Sequence, residues 1–176
     1  MNIKTLASRL VYQNRWLRFY EDKIERDDGS EGIYTWIDKP QAALIIPIDG
    51  DEVVLIEQFR YPVKRRYMEF CAGAWEDDPD ADSTELARGE LHEETGLLAG
   101  KMEYLGPLYY AYGITNQCFH IFRATELTQA ERDPEDTEID ITVHRIRIAE
   151  FEAMILRGEI LDAASIAAWY LHLNKR

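Results

Sequence analysis

Glu90-Leu91-His92-Glu93-Glu94-Thr95-Gly96-Leu97 is the stretch on which the reading of this chain turns. Upstream, Asp82 or Ser83 is placed to cap a helix and Glu85 stands where a capping box takes an acid. Gly96 is the type of residue that ends one. Between those ends, at about 100° per residue, Glu90 and Glu94 lie one turn apart with Glu93 beside them. Leu86, Leu91 and Leu97 mark the opposite face as the core side. Three neighbouring carboxylates repel one another and weaken a helix, unless a cation sits among them. A solvated acidic face is the ordinary explanation of such a run. A divalent ion is the alternative: Mg²⁺ takes a few carboxylates and completes its shell with water and phosphate oxygens, and Mn²⁺ is a substitute. His92 is read as a solvated helix residue, since Mg²⁺ prefers oxygen.

Outward from this helix the pattern changes to strands. Residues 42–48 form a near-continuous apolar run, as expected of a strand buried on both faces. Asp49-Gly50-Asp51 turns the chain back along residues 52–60, which predicts a hairpin. Earlier, residues 16–24 and 32–37 flank Asp28-Gly29-Ser30 as a second hairpin, which Pro40 closes. After the helix come strand-like segments at 102–112, 118–124 and 139–148. Helices follow, from about 149 to 157 and from about 162 towards 173. Strands, helix, strands, helices is the order of an α+β (mixed α/β) fold, with a helix inserted into a mixed β-sheet. The expected division is an N-terminal antiparallel β subdomain over 1–40 and a main domain over 41–176.

The 176 residues suit one compact domain with a small extension. A net charge of −13, from 33 acids against 20 bases, repels nucleic acid, and no basic stripe overcomes it. Such a chain binds a phosphorylated small molecule only where cations neutralise the site. No apolar run approaches the ~20 residues that span a bilayer, so no membrane is expected. The N-terminus lacks the apolar core of a signal peptide. Cys71 and Cys118 stand far apart, form no ligand motif and are read as buried, unbridged residues. Together these features point to the cytoplasm.

The stretch from Glu90 to Leu97 resembles the second half of the Nudix hydrolase box. That box runs Gly, five residues, Glu, seven residues, then Arg-Glu-hydrophobic-x-Glu-Glu-x-Gly-hydrophobic. The first half departs from it. Gly89 stands in place of the Arg, which in the family orients the metal-binding acids through a salt bridge; Arg88 stands one position earlier. Strict spacing puts the first Glu on Ala81 and the first Gly on Trp75. Residues 72–76 nevertheless look like the usual strand end, so a two-residue insertion near 77–80 is inferred, with Glu76 or Asp82 standing in for the missing carboxylate. Gly89→Arg is therefore expected to raise both helix stability and turnover, unless Arg88 or another arginine already serves.

The remainder resembles the ADP-ribose pyrophosphatase branch, through Trp16, Gln58-Phe59-Arg60-Tyr61-Pro62, Glu69-Phe70-Cys71-Ala72-Gly73, Glu138 and residues 158–163. The resemblance implies a Nudix sheet between helices and a homodimer whose N-terminal strands cross to the partner. It also implies metal held by Glu90, Glu93 and Glu94 with the Ala72 carbonyl, and a Trp16 indole stacked on the base. Ala111-Tyr112-Gly113 replaces the branch's Ser-Pro-Gly, which brings other nucleoside diphosphate sugars level with ADP-ribose as substrate. The reading is metal-dependent hydrolysis of a nucleoside diphosphate linked to another group, giving a nucleoside monophosphate and a sugar phosphate. Arg60 is assigned to phosphate, Glu69 to substrate or an ordered water, and Glu93 and Glu94 to catalysis as well as to metal. Glu138, in the acidic segment 133–138, is the expected general base, with Glu135 as the alternative. A binding or sensor module of the same fold is the competing reading.

Overall fold

In the computed structural model, residues 2–75, 78, 81–132 and 140–175 are described. The first three strands, β1 (Ile3–Gln13), β2 (Arg18–Arg26) and β3 (Glu31–Asp38), form a separate antiparallel sheet. Every residue of β1 is exposed, including Ile3, Leu10, Val11 and Tyr12. Trp36 stacks on Tyr20 at a centroid distance of 5.0 Å and donates its indole N–H to Asp22, so the sheet carries its own small set of side-chain contacts.

The second sheet has seven strands: β4 (Ala42–Asp49), β5 (Glu52–Arg60), β6 (Arg65–Glu69), β7 (Ala72–Gly73), β8 (Leu97–Leu108), β9 (Phe119–Gln129) and β10 (Thr142–Arg147). Its path is β10-β5-β4-β9-β8, with β4 and β9 parallel and the other pairs antiparallel, which makes it the mixed sheet expected. Among the described residues three helices pack on it: α1 (Ser83–Thr95), α2 (Ile148–Arg157) and α3 (Ala163–Asn174).

Alternation along the central strands divides the core in two. Ala43 and Ile45 of β4 and Val54 and Ile56 of β5 face α1, where they meet Leu86, Ala87 and Leu91. Leu44, Ile46, Val53 and Leu55 face the other way, towards Phe151 of α2 and Ala168 and Trp169 of α3. Phe151 packs at 5.2 Å from both Phe70 and Trp169. Each such fully buried apolar side chain contributes roughly 1.5–3 kcal/mol. The sheet is therefore sandwiched between helices because β4 from Ala42 to Ile46 and β5 from Val53 to Ile56 are apolar and buried at consecutive positions rather than at alternate ones.

Two strand expectations need correction. The hairpin of β4 and β5 exists only beside its turn, at Ile48–Val53 and Asp49–Glu52. Beyond that the two strands separate, because β7 takes the edge of β4 at Ala43 and Leu44 while Ile45 donates to the Cys71 carbonyl. The segment expected at 102–112 begins instead at Leu97, directly after the helix cap, and leaves the sheet at Leu108. Cys71 and Cys118 are buried and unbridged. Among the described residues no helix is long and apolar enough to cross a membrane.

Candidate active site

The site is built on α1. Asp82 caps it by accepting from the backbone N–H groups of Thr84 (2.9 Å) and Glu85 (3.2 Å). Gly96 closes it in the left-handed conformation at φ 71°, which glycine adopts without strain. Its buried stripe is Leu86, Ala87, Glu90, Leu91, Glu94 and Thr95. This corrects the expectation that all three acids share a face opposite the core. Glu90 and Glu94 lie in the buried stripe, 4% and 2% exposed, and only Glu93 sits on its half-buried flank. His92, expected to be solvated, is half-buried, with Nε2 2.8 Å from the Glu131 carbonyl.

Both buried carboxylates point at β7. The Ala72 N–H donates to Glu94 Oε2 at 2.9 Å. Glu90 lies so close over Gly73 that a Cβ there would come within 3.0 Å of its carboxylate, so any side chain at that position must push the carboxylate aside. Burial pushes the Cys71 thiol well up, and the charges of Glu94 and Glu90 push it the same way. Among the described residues, no three His, Cys, Asp or Glu side chains meet at one ligating point. What converges on β7 is two carboxylates, oxygen donors of the kind hard divalent ions take, one of which accepts the Ala72 N–H.

Ala72 and Gly73 also line a cavity of about 900 Å³, whose walls include Arg60, Glu69, Tyr110 and Asp162. Arg60 Nε donates to Glu69 Oε1 at 2.8 Å across the mouth. The Arg60 side chain is 44% exposed and that of Glu69 only 9%, so the salt-bridge and the substrate-facing readings of Arg60 are the same geometry. Burial raises the Glu69 carboxyl above its ordinary range, and the Arg60 hydrogen bond and charge only partly offset this. Asp162, read from sequence as the start of a helix and as part of the 158–163 resemblance, caps α3 by accepting from Ser165 N (2.7 Å) and also faces the cavity. Tyr110 and Lys39 were not anticipated either. Nothing local marks these residues; strand order brings them in.

The sequence of this chain matches two family models. The nucleoside diphosphate sugar hydrolase N-terminal domain covers residues 3–37, and the NUDIX domain covers residues 38–169. The chain belongs to the Nudix family. It is 26% identical over 175 residues to an ADP-ribose pyrophosphatase of Bacillus subtilis, covering 98% of this chain and 94% of that one. It is 35% identical over 139 residues to a GDP-mannose pyrophosphatase of Enterobacter, covering 72% of this chain and 69% of the other. A solved structure described as an ADP compounds hydrolase shares the fold, with a TM-score of 0.85 at 22% identity over 97% of this chain and 92% of that one.

Within the Nudix box, Gly73 lies against Glu90, as it would if it were the box's first glycine with two residues inserted before Glu90. Gly89 contradicts the expectation of a gain on arginine substitution. A Cβ there would come within 3.0 Å of the Trp75 indole, so any larger residue must displace that ring. Arg88 donates to the Ala99 carbonyl at 2.8 Å and ties α1 to β8. The turn at Ala111-Tyr112-Gly113 leaves Tyr112 83% exposed, and Gly113 accepts a 2.9 Å hydrogen bond from the Tyr34 hydroxyl of β3.

One predicted site residue stands apart from this arrangement, and another lies outside the described residues. Trp16 lies outside the cavity walls of its own chain, 45% exposed, with Arg15 over its ring at 5.1 Å. Glu138, with Glu135 and Glu76, falls outside the described residues.

The Arg60–Glu69 pair carries a prediction. Arg60→Ala leaves a buried carboxylate without this donor and is expected to cost on the order of 1–3 kcal/mol at pH 8, read from the denaturation midpoint. Because the native Glu69 carboxyl titrates above its unfolded value, the penalty belongs to the ionised form. It is present at high pH and lost as pH falls through the native range to about 4. A stability deficit independent of pH would show that the loss comes from packing instead.

Proposed function

We propose that this Nudix hydrolase cleaves the diphosphate of a nucleoside diphosphate joined to a sugar, ADP-ribose among them, and releases a nucleoside monophosphate and a sugar phosphate. Family membership makes the chain a pyrophosphatase acting on nucleoside diphosphate-linked compounds, rather than a binding or sensor module. The finer reading rests on one observation: Ala72 and Gly73 are shared by the buried carboxylates Glu94 and Glu90 on one side and by the large cavity on the other. A diphosphate in that cavity lies within reach of Arg60 and beside the acids of α1.

Glu90 and Glu94, with Glu93 and the Ala72 carbonyl, would hold Mg²⁺, for which Mn²⁺ substitutes. The ion supplies neutralisation of the phosphates and a lower pKa for water bound to it. Arg60 orients the phosphates with its planar fork, and Glu69 holds Arg60 in place. Glu138 takes the proton from the attacking water. The decisive experiment is hydrolysis of a panel of nucleoside diphosphate sugars with and without Mg²⁺. Phosphomonoester products appearing from at least one sugar, only with the metal, support the reading; no cleavage of any member overturns it.

The N-terminal sheet, within residues 1–40, serves as the dimerisation unit of a cytoplasmic homodimer. The wholly exposed β1, with its apolar side chains, supports this. Trp16, half-exposed and away from its own cavity, is then available to the base bound by the partner subunit. Stacking on an aromatic side chain is worth about 1–3 kcal/mol per base, so Trp16→Ala should raise KM by about tenfold or more with kcat nearly unchanged. An unchanged KM, or a monomer by sedimentation at assay concentration, removes Trp16 from the site.

A further inference from the structure

Two glycines face each other across the junction of β7 and α1, each making room for a side chain from the other segment. Gly73 leaves space for the Glu90 carboxylate, and Gly89, the residue before Glu90, leaves space for the Trp75 indole two residues beyond Gly73. A Cβ on either glycine would come within 3.0 Å of the opposing side chain. Trp75 is half-buried and packs on the core cluster that holds Leu86, Ala87 and Leu91 of α1. The Asp78 N–H donates to the Trp75 carbonyl at 3.3 Å. Helix propensity alone favours alanine over glycine inside α1. Glycine at position 89 therefore answers to the indole.

We infer that this reciprocal packing of Trp75 on Gly89 and of Glu90 on Gly73 fixes the register of α1 against β7, and that Trp75 is a positioning residue for the Glu90 carboxylate. The inference rests on the reading of Glu90 as a metal-binding acid. A sliding or rotation of α1 that moves Glu90 off Gly73 must also move Gly89 off the indole. The two contacts lock one degree of freedom from both ends, by shape alone. The Trp75–Gly89 half of this clamp is apolar and holds its geometry irrespective of salt, whereas a charged clamp at the surface weakens as salt rises.

The test uses Gly89→Ala, Trp75→Ala, Trp75→Phe and the double variant Trp75→Ala/Gly89→Ala in the full chain. Each is read by the Mg²⁺ concentration for half-maximal activity, by KM, and by the Mg²⁺-dependent shift in thermal midpoint. Losing a group that orients a metal ligand typically weakens metal binding roughly 10–100-fold, so Gly89→Ala should raise half-activating Mg²⁺ by that factor with little change in KM. Trp75→Phe, which keeps a ring on Gly89, should lose less than Trp75→Ala. In the double variant the new methyl meets no indole, so its Mg²⁺ requirement should match that of Trp75→Ala alone. Additive effects of the two single changes, or a lower melting temperature with unaltered Mg²⁺ dependence, overturn the inference. If Gly89→Ala does not fold, the order of Trp75→Phe and Trp75→Ala decides. If the unsubstituted protein shows no Mg²⁺ shift, the metal reading itself fails; if Glu94→Gln removes the shift while the Trp75 and Gly89 variants keep wild-type Mg²⁺ dependence, only the interlock fails.

Discussion

Glu94→Gln is expected to abolish the stabilisation of this protein by Mg²⁺ and nearly all of its turnover. A ligand that binds only the native state stabilises it by RT ln(1 + [L]/Kd), about 2.7 kcal/mol at one hundred times Kd. For a domain of this size that is a shift of roughly 5–10 °C in thermal midpoint between EDTA and excess Mg²⁺. Glu94 is 2% exposed and accepts the Ala72 N–H, so the glutamine amide is nearly isosteric and can keep that hydrogen bond through its oxygen. The charge is lost while the packing stays. Melting in EDTA should therefore be close to wild type, and it can even rise, because a buried charge has been removed. Melting in Mg²⁺ should stay at the EDTA value, and turnover should fall by at least about 10². A full Mg²⁺ shift in Glu94→Gln would take this carboxylate out of the metal site.

Glu138→Gln is expected to separate catalysis from metal binding. Removing a general base costs a factor of about 10² to 10⁴ in turnover. The residue lies in an acidic segment with Asp133, Glu135 and Asp136 that offers several carboxylates to take a proton from the attacking water. The variant should keep the Mg²⁺-dependent melting shift that Glu94→Gln loses, and the acidic limb of its pH–rate profile should disappear. Wild-type turnover in Glu138→Gln together with an inactive Glu135→Gln would move the base three residues upstream in the segment. Full activity in both would place the base on another element.

Several features of the fold and site were legible without the structure, for local reasons. The caps of α1 at Asp82 and Gly96 are signals carried by single residues, and both hold. The continuous apolar run of β4 announces burial on both faces, because a strand with only one buried face alternates. The Glu90-to-Leu97 stretch, with the supporting segments around it, points to the Nudix family, and the NUDIX domain model matches residues 38–169. The segment 139–148 was placed as a strand, and Thr142–Arg147 forms one.

Where local rules failed, a long-range partner intervened. The β4–β5 hairpin is cut short because β7, from more than ten residues downstream, occupies the edge of β4. A hydrophobicity pattern sorts Glu90 and Glu94 onto the wet side of α1, yet the helix packs them inwards beside Leu86 and Leu91, against β7. Gly89 read alone is a weak helix residue and a missing arginine; beside Trp75 it is the position that admits an indole. Asp162 is a helix cap in sequence and a cavity wall in space.

By itself, then, the sequence determined the three helices, the order of the longer strands, the Nudix family and the identity of the acids on α1, since caps, periodicity and motif spacing are properties of near neighbours. Only the tertiary structure decided which of those acids are buried, which glycines face which side chains, and that Arg60, Glu69 and Asp162 share a cavity. The reason is physical: burial and steric fit are set by whatever the sheet order brings from tens of residues away, and no window along the chain contains both halves of such a contact.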